Sequence, residues 1–245
     1  MKVLGIDIGG SGIKGAVVDV NKGELVSERI RIATPEKSKP RDVAKTVNKI
    51  VMQSGWKGRI GCGFPAIIKD GVALSAANIN KKWIGTDVDS LLSQKTGLKV
   101  YTLNDADAAG LAEMTFGAGK DYKDKIVVLL TLGTGIGSAV FMKGQLLPNT
   151  ELGHFKIRGK DAEKRASDMV RKKKKLGWKN WSKRLQEYLD TLEYLVNPDV
   201  IIIGGGVSKN HAKFFPHLST SAKLLPAQFL NQAGIIGAAL YARRQ

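Results

Sequence analysis

The segment Asp7-Ile8-Gly9-Gly10-Ser11-Gly12-Ile13-Lys14-Gly15-Ala16-Val17 has a counterpart in the second half of the chain, Thr131-Leu132-Gly133-Thr134-Gly135-Ile136-Gly137-Ser138-Ala139-Val140. Each follows an apolar run, passes small residues through a turn and resumes with Ala-Val. A glycine turn has no Cβ in the way, so its backbone N–H groups can crowd around an anion. Two copies imply two similar half-domains facing each other, with a phosphate-bearing ligand between them. Ser11, Thr131 and Thr134 can add hydroxyl donors. Asp7 would repel a phosphate, and makes sense beside one when Mg²⁺ lies between them through water. Lys14 either offsets charge developing on a transferred group or is a solvated strand lysine. Gly10-x-Gly12 is no dinucleotide fingerprint, because the third glycine is missing and the chain returns as a strand.

Two other constellations carry chemical potential. Asn104-Asp105 falls at the end of an apolar run, and strand ends are where α/β folds keep their reactive groups. The same pair could instead cap the following helix, although Asp107 is the more natural plain cap. Glu151 and His154 are three residues apart and share a face if they lie on one helical turn.

The elements that must position these groups are legible in outline. Residues 3–8, 16–20 and 25–32 read as three consecutive strands, joined by the glycine turn and Asn21-Lys22-Gly23. Val43, Val47, Ile50 and Val51 mark a helix over 38–54. A strand over 59–64, a helix over 86–96, a strand over 98–103 and an Ala-rich helix over 106–115 follow. The second half restarts with strands over 126–132 and 138–142. Helices over 162–175 and 179–196, a buried strand over 199–203 and a terminal helix over 233–244 complete it. Gly204-Gly205-Gly206-Val207-Ser208 opens a turn after the buried strand.

Composition narrows the class. The 245 residues are 43% hydrophobic and include 39 basic and 22 acidic residues, a net charge of +17. That excess favours a polyanionic partner or is a solvated surface, and the same two readings apply to the run Arg171-Lys172-Lys173-Lys174-Lys175. Cys62 is the single cysteine, which excludes a disulfide framework and a cysteine-rich zinc site within one chain. Neither a signal peptide nor a run of about 18 apolar residues is present, so a cytoplasmic protein is expected.

In this order, Asp7-x-Gly9-Gly10-Ser11-Gly12-x-Lys14, Ala77-Asn78-Ile79, Asn104-Asp105-Ala106, Leu132-Gly133-Thr134-Gly135-x-Gly137, Glu151-Leu152-Gly153-His154 and Gly204-Gly205-Gly206-Val207-Ser208 resemble the ROK (repressor, open reading frame, kinase) sugar kinases. Lys160-Asp161-Ala162-Glu163-Lys164-Arg165-Ala166, with Trp178 and Trp181, resembles the polyphosphate glucokinase branch of that family. The resemblance covers nearly the whole chain. It implies an α/β, actin-like ATPase/sugar kinase (ribonuclease H-like) fold with two lobes, residues 1–109 plus 232–245 and residues 110–231.

The resemblance also assigns roles. Asp105 becomes the base that takes the proton of a sugar hydroxyl, and Asn78, Asn104, Glu151 and His154 become sugar ligands. Glu163 is the candidate for a third acidic sugar ligand. Gly9, Gly10, Ser11, Gly12, Lys14, Thr131, Gly133, Thr134, Gly135, Gly204, Gly205 and Gly206 face the phosphoryl donor, and Asp7 faces Mg²⁺. Most relatives place a zinc-binding cysteine cluster after the histidine. No cysteine stands between His154 and Val200, so no structural zinc is expected and the helical insertion must shape the loop instead.

The expected reaction is transfer from inorganic polyphosphate, with ATP as a second donor, to the 6-hydroxyl of glucose. The expected partners are these small molecules and a second copy of the chain, without nucleic acid or membrane. The alternatives are an ATP-dependent kinase of glucose, mannose or an amino sugar, and a non-catalytic polyanion-binding protein. Repressors of the family carry a helix-turn-helix ahead of the kinase fold, whereas this chain begins at the first strand.

Overall fold

The structure is a computed structural model and describes Met1–Gln245. In chain order the first elements are β1 (Lys2–Ile8), β2 (Ile13–Asp19), β3 (Glu24–Leu25), β4 (Ile30–Ile32), α1 (Pro40–Ser54), β5 (Ile60–Phe64), β6 (Ile68–Lys69) and β7 (Val72–Ala73). Then come α2 (Val88–Thr96), β8 (Val100–Asn104), α3 (Asp105–Phe116), β9 (Ile126–Leu132), β10 (Ile136–Met142) and β11 (Gln145–Leu147). The chain ends with β12 (Lys156–Ile157), β13 (Lys160–Asp161), α4 (Glu163–Ala166), α5 (Asp168–Lys173), α6 (Trp178–Val196), β14 (Val200–Gly204), β15 (Lys223–Pro226) and α7 (Ala233–Arg243). The chain divides into two compact units, Met1–Ala112 with Gln232–Gln245, and Glu113–Asn231.

The first unit holds a sheet of order β3-β2-β1-β5-β8, with β4 also paired to β2. The first connections are antiparallel, whereas β1, β5 and β8 run parallel. Their carboxyl ends therefore gather along one edge, which is where Asp7 and Asn104 stand. On one face α1 buries Val43, Val47, Ile50 and Val51, and burying each such side chain contributes on the order of 1.5–3 kcal/mol. Pro40 opens α1, and Gly55 closes it in the left-handed conformation at φ 61°, as helix ends favour. On the other face α7 lies so close that a Cβ on Gly61 would collide with the backbone of Ala238.

The second unit repeats the plan, with order β11-β10-β9-β14-β15 and β9, β14 and β15 parallel. Its core joins β9, β10 and β14 to α6 through Leu130, Leu132, Ile201, Ile203, Leu185, Leu189 and Leu192. The helical insertion is pinned by aromatic packing. The Trp181 ring is buried and its Nε1–H donates to the Ala166 carbonyl at 2.9 Å, while Trp178 stacks on Phe214 at 5.9 Å between centroids.

Four expectations from the sequence need correction. The strand expected over 25–32 is two pieces, β3 and β4. Between them Ser27 Oγ accepts the Val17 N–H at 2.9 Å, replacing a ladder bond with a side chain. The helix expected over 162–175 breaks at Ser167, whose backbone is extended and whose hydroxyl accepts from the Val170 N–H to start α5. Glu151 to His154 is a single turn rather than helix, closed by the His154 N–H donating to the Glu151 carbonyl at 3.0 Å. Asn104, not Asp107, caps α3: its Oδ1 accepts the N–H groups of Ala106 and Asp107 at 2.8 and 3.1 Å.

One buried carboxylate ties the end of α3 to the strand region beyond β15. Glu113 is fully buried and accepts three backbone N–H groups, from Ala118 at 2.9 Å, Gln228 at 2.9 Å and Phe229 at 2.8 Å. Truncation leaves three donors without an acceptor, each worth about 1–3 kcal/mol. Glu113→Ala is expected to lower the unfolding free energy in urea by about 3 kcal/mol or more. A loss below about 1 kcal/mol would show that water replaces the carboxylate without cost.

Candidate active site

In the first unit the glycine turn joins β1 to β2. The Gly9 N–H donates to the Gly12 carbonyl at 3.1 Å. Two further carbonyls are tied back: Thr34 Oγ1 donates to the Gly9 carbonyl at 2.5 Å and Arg31 Nη2 to the Ser11 carbonyl at 3.1 Å. Asp7 and Lys14 face each other across the β1–β2 pair and form a salt bridge at 2.9 Å, both half-buried. Lys14 also stands directly opposite Arg31 on β4. Like charges so placed are destabilising unless something negative lies near both, and Asp7 answers only part of that charge.

Asp105 is the first residue of α3, and its Oδ1 accepts the Ala106 N–H at 2.8 Å. It rises one position past the end of β8, and a Cβ on Gly63 of β5 would sit 3.6 Å from its Cα. Asp7 pairs with that same Gly63. The two carboxylates thus project from the same sheet edge with β5 between their strands, about 10 Å from strand to strand. Asn104 is buried, its amide donating to the Ala66 carbonyl at 3.0 Å. Asn78 lies in an exposed bend after β7.

In the second unit the equivalent turn joins β9 to β10, and the Gly133 N–H donates to the Gly135 carbonyl at 3.0 Å. Thr131 and Gly204 are register partners, so the Gly204–Gly206 loop adjoins this turn. Gly205 has φ 78° and packs against the Leu132 backbone with no room for a side chain. Ser208 holds the loop by donating its hydroxyl to the Gly205 carbonyl at 2.8 Å.

Four glycines of the chain behave differently, three of them in these turns and the fourth, Gly177, just before α6. Gly10, Gly133 and Gly206 have nothing within 4 Å of an added Cβ, and none adopts the left-handed backbone. Neither strain nor crowding within the fold explains glycine there, although glycine costs chain entropy. Open space above a backbone turn is what an approaching phosphate requires.

An acidic cluster adjoins the second turn. His154 Nε2 lies 3.7 Å from Glu151 Oε2, and its Nδ1 lies 3.8 Å from Asp161 Oδ2. The Glu163 N–H donates to the Gly153 carbonyl at 3.0 Å, and Glu163 Oε2 accepts the Ile136 N–H at 3.3 Å. Burial raises the Glu151 carboxyl above its ordinary value; His154 opposes that shift and the negative charge of Glu163 adds to it. Hydrogen bonds from Lys156 and then Lys164 pull Asp161 down to about 2. The structure therefore brings Glu151, His154 and Glu163 together, and the first-unit residues Asp7, Lys14, Asn104 and Asp105 along one sheet edge. It leaves Asn78 on an exposed loop. Arg31, Thr34 and Asp161 were not singled out from sequence. Asp161 lay inside a quoted stretch, but its approach to His154 depends on the β12–β13 hairpin.

Two sheets of the same strand order, each opening with a glycine hairpin, define the class: this is the actin-like ATPase/sugar kinase fold. Residues 3–169 match the ROK family, and the chain belongs to that family. It is 46% identical over 238 residues to the polyphosphate glucokinase of Mycobacterium tuberculosis strain CDC 1551 / Oshkosh, covering 97% of this chain and 89% of that protein. It superposes on the inorganic polyphosphate/ATP-glucomannokinase of Arthrobacter sp. strain KM with a TM-score of 0.96 and 45% identity, covering 100% of this chain and 99% of the other. A ROK family glucokinase from Streptomyces griseus, solved with glucose and AMPPNP, shares the fold at 24% identity with a TM-score of 0.83, covering 100% of each chain.

The open glycines lead to a test. Gly133→Ala is expected to fold with unchanged or slightly higher Tm, because it removes chain entropy without a clash. It should weaken binding of tripolyphosphate at least about tenfold, roughly 1.4 kcal/mol, while glucose binding is retained. Undiminished tripolyphosphate affinity in calorimetry would remove the turn from the phosphate site.

Proposed function

We propose that the protein is a polyphosphate-dependent glucokinase, transferring the terminal phosphoryl group of inorganic polyphosphate, and secondarily of ATP, to the 6-hydroxyl of glucose. What carries this reading is the 46% identity to a polyphosphate glucokinase over 97% of the chain; a carboxylate at a strand end, a glycine hairpin in each unit and an acidic cluster support it. A cytoplasmic homodimer is part of the same reading, and the homodimer rests on the family resemblance alone.

In this reading Glu151, His154 and Glu163 hold the sugar hydroxyls, together with Asn78 and Asn104. Ionised carboxylates only accept hydrogen bonds, so they match hydroxyl donors and orient the ring. Asp105 accepts the proton of the 6-hydroxyl as its oxygen bonds to the terminal phosphorus. The phosphoanhydride bond breaks, giving glucose 6-phosphate and a donor one phosphate shorter. N–H groups of the Gly9–Gly12, Thr131–Gly135 and Gly204–Gly206 turns, other than those of Gly9 and Gly133 that close the turns themselves, receive the phosphoryl oxygens, and Lys14 offsets their charge. Asp7 suits a Mg²⁺ ion held mainly by donor phosphates and water, since Mg²⁺ takes one or two carboxylates and no group of three or more ligating side chains is present. When bound, that ion supplies charge neutralisation on the donor.

Coupled assay of glucose 6-phosphate with each donor in turn tests the reading. Product from polyphosphate at or above the yield from ATP supports it, and product from ATP alone makes the protein an ATP-dependent hexokinase. No product from either leaves a polyanion-binding protein.

Two variants test the assigned residues. Asp105→Asn is expected to keep glucose affinity and lower kcat at least about a hundredfold, and near-normal turnover would remove Asp105 from the chemistry.

The acid limb of glucose binding tests Glu151. Its folded value lies above its unfolded one, so its proton stabilises the fold at low pH, and that contribution fades as pH rises through the folded value. Glucose hydroxyls favour the ionised form, so glucose affinity should fall on acidification at a pH above the ordinary glutamate range. Glu151→Gln should flatten that limb, whereas Asp161→Asn should leave it, because Asp161 titrates only near 2. A limb that persists in Glu151→Gln assigns it elsewhere.

A further inference from the structure

The short helix α5 docks on the second glycine turn. The Met169 N–H donates to the Gly133 carbonyl at 3.0 Å, so the basic run leaves directly from the turn assigned to phosphate. Lys172 and Lys173 follow roughly 5 to 6 Å further along the helix axis.

The first two cations of the run have structural work. Arg171 Nε and Lys172 Nζ share the buried carboxylate of Asp168, each at 2.7 Å. The Arg171 guanidinium also lies 4.1 Å from the centre of the Trp178 ring. Beyond them Lys173, Lys174 and Lys175 stand exposed, as do Lys179 and Lys183 on α6. Residues 171–184 hold eight cations and no carboxylate. A merely solvated face would interleave acids to relieve the repulsion.

The backbone at the end of α5 offers a position where charge can be separated from folding. α5 closes with the Leu176 N–H donating to the Arg171 carbonyl at 2.9 Å and the Lys175 N–H to the Lys172 carbonyl at 3.1 Å. This pattern puts Lys175 at the left-handed position, with φ 50°, where glycine is the unstrained residue. A lysine stands where the fold would take glycine more easily, as Lys143 and Arg158 also do elsewhere in the chain.

Resting on the donor reading given above, we propose that Lys173, Lys174 and Lys175, with Lys179 and Lys183, form a secondary cradle for the distal phosphates of a long polyphosphate chain. The cradle continues the path from the Thr131–Gly135 turn and sets a preference for long chains over tripolyphosphate and ATP. Its occupant is polyphosphate rather than a nucleic acid, because the aromatic rings of the segment are engaged. Trp178 lies between Arg171 and Phe214, and Trp181 is buried, which leaves no stacking platform for bases.

The test uses the full chain and compares KM for long-chain polyphosphate, tripolyphosphate and ATP. The variants are Lys173→Ala/Lys174→Ala and the single Lys175→Gly. The double variant should raise KM for the long chain about tenfold while the other donors and glucose stay within about twofold. Its log KM against log salt should also lose about one unit of slope per cation removed. Lys175→Gly should raise Tm and still raise KM for the long chain, which separates charge from folding. Unchanged long-chain KM overturns the cradle, as does an equal rise for every donor. A single-stranded RNA that competes with long polyphosphate as well as unlabelled polyphosphate does overturns the choice of occupant. If the wild type transfers nothing from polyphosphate, the donor reading fails by itself. Fluorescence anisotropy with labelled long polyphosphate then decides the cradle: tighter binding by the wild type than by the double variant upholds it, and equal binding ends it.

Discussion

Backbone N–H groups presented at open glycine turns are the constraint on which the rest of the structure depends. An amide dipole is fixed by the chain, so it stabilises an anion only if its carbonyl is held elsewhere and no side chain covers it. Both conditions hold at the first turn. Thr34 and Arg31 take the carbonyls of Gly9 and Ser11, and Gly10 carries nothing that would block approach. At the second turn Met169 takes the Gly133 carbonyl, so the insertion that follows the acidic cluster also fastens this glycine turn. The identical strand order of the two sheets repeats this arrangement. A hairpin between antiparallel strands, flanked by parallel ones, is the part common to both.

The insertion also answers how the loop after His154 is held without cysteines. Here the fastening is aromatic and hydrophobic. Trp181, Tyr188 and Phe214 are fully buried, Phe155 stacks on Tyr188 at 5.0 Å, and Trp181 reaches the Ala166 carbonyl. Glu187 adds salt bridges to Arg158 and Arg165. Edge-to-face and stacked aromatic pairs contribute about 0.5–1.5 kcal/mol each beyond their buried area. Several together can hold a short loop.

Local signals were legible in the sequence where periodicity was strong or a turn demanded particular residues. The glycine hairpins, α1 and the buried β14 fall into that class, because apolar spacing and small residues leave few alternatives. Interruptions were not legible. Ser27 and Ser167 each use one hydroxyl to replace a backbone bond, and a serine in a strand or helix pattern carries no mark of doing so. β15 was missed because its four residues end in proline and follow a polar stretch. Among site residues, Asp105 and the Glu151–His154 pair came from motifs. Arg31 depends on cross-strand register and Asp161 on a two-residue hairpin, neither of which spacing along the chain reveals.

The electrostatics of the second unit separate donor from acceptor. Around Gly133 the exposed groups are N–H dipoles and, farther along α5, lysines, all of which favour a multiply charged anion. A few residues away Glu151, Glu163 and Asp161 gather carboxylates, and the mutual repulsion of Glu151 and Glu163 contributes to the raised Glu151 value. Such a cluster rejects anions and is relieved by neutral molecules rich in O–H donors, which is the description of a hexose. Glu163 touches both regions, since its carboxylate accepts the N–H of Ile136, the residue directly after the glycine turn. Movement of that carboxylate would alter the entry to β10 and therefore the turn before it.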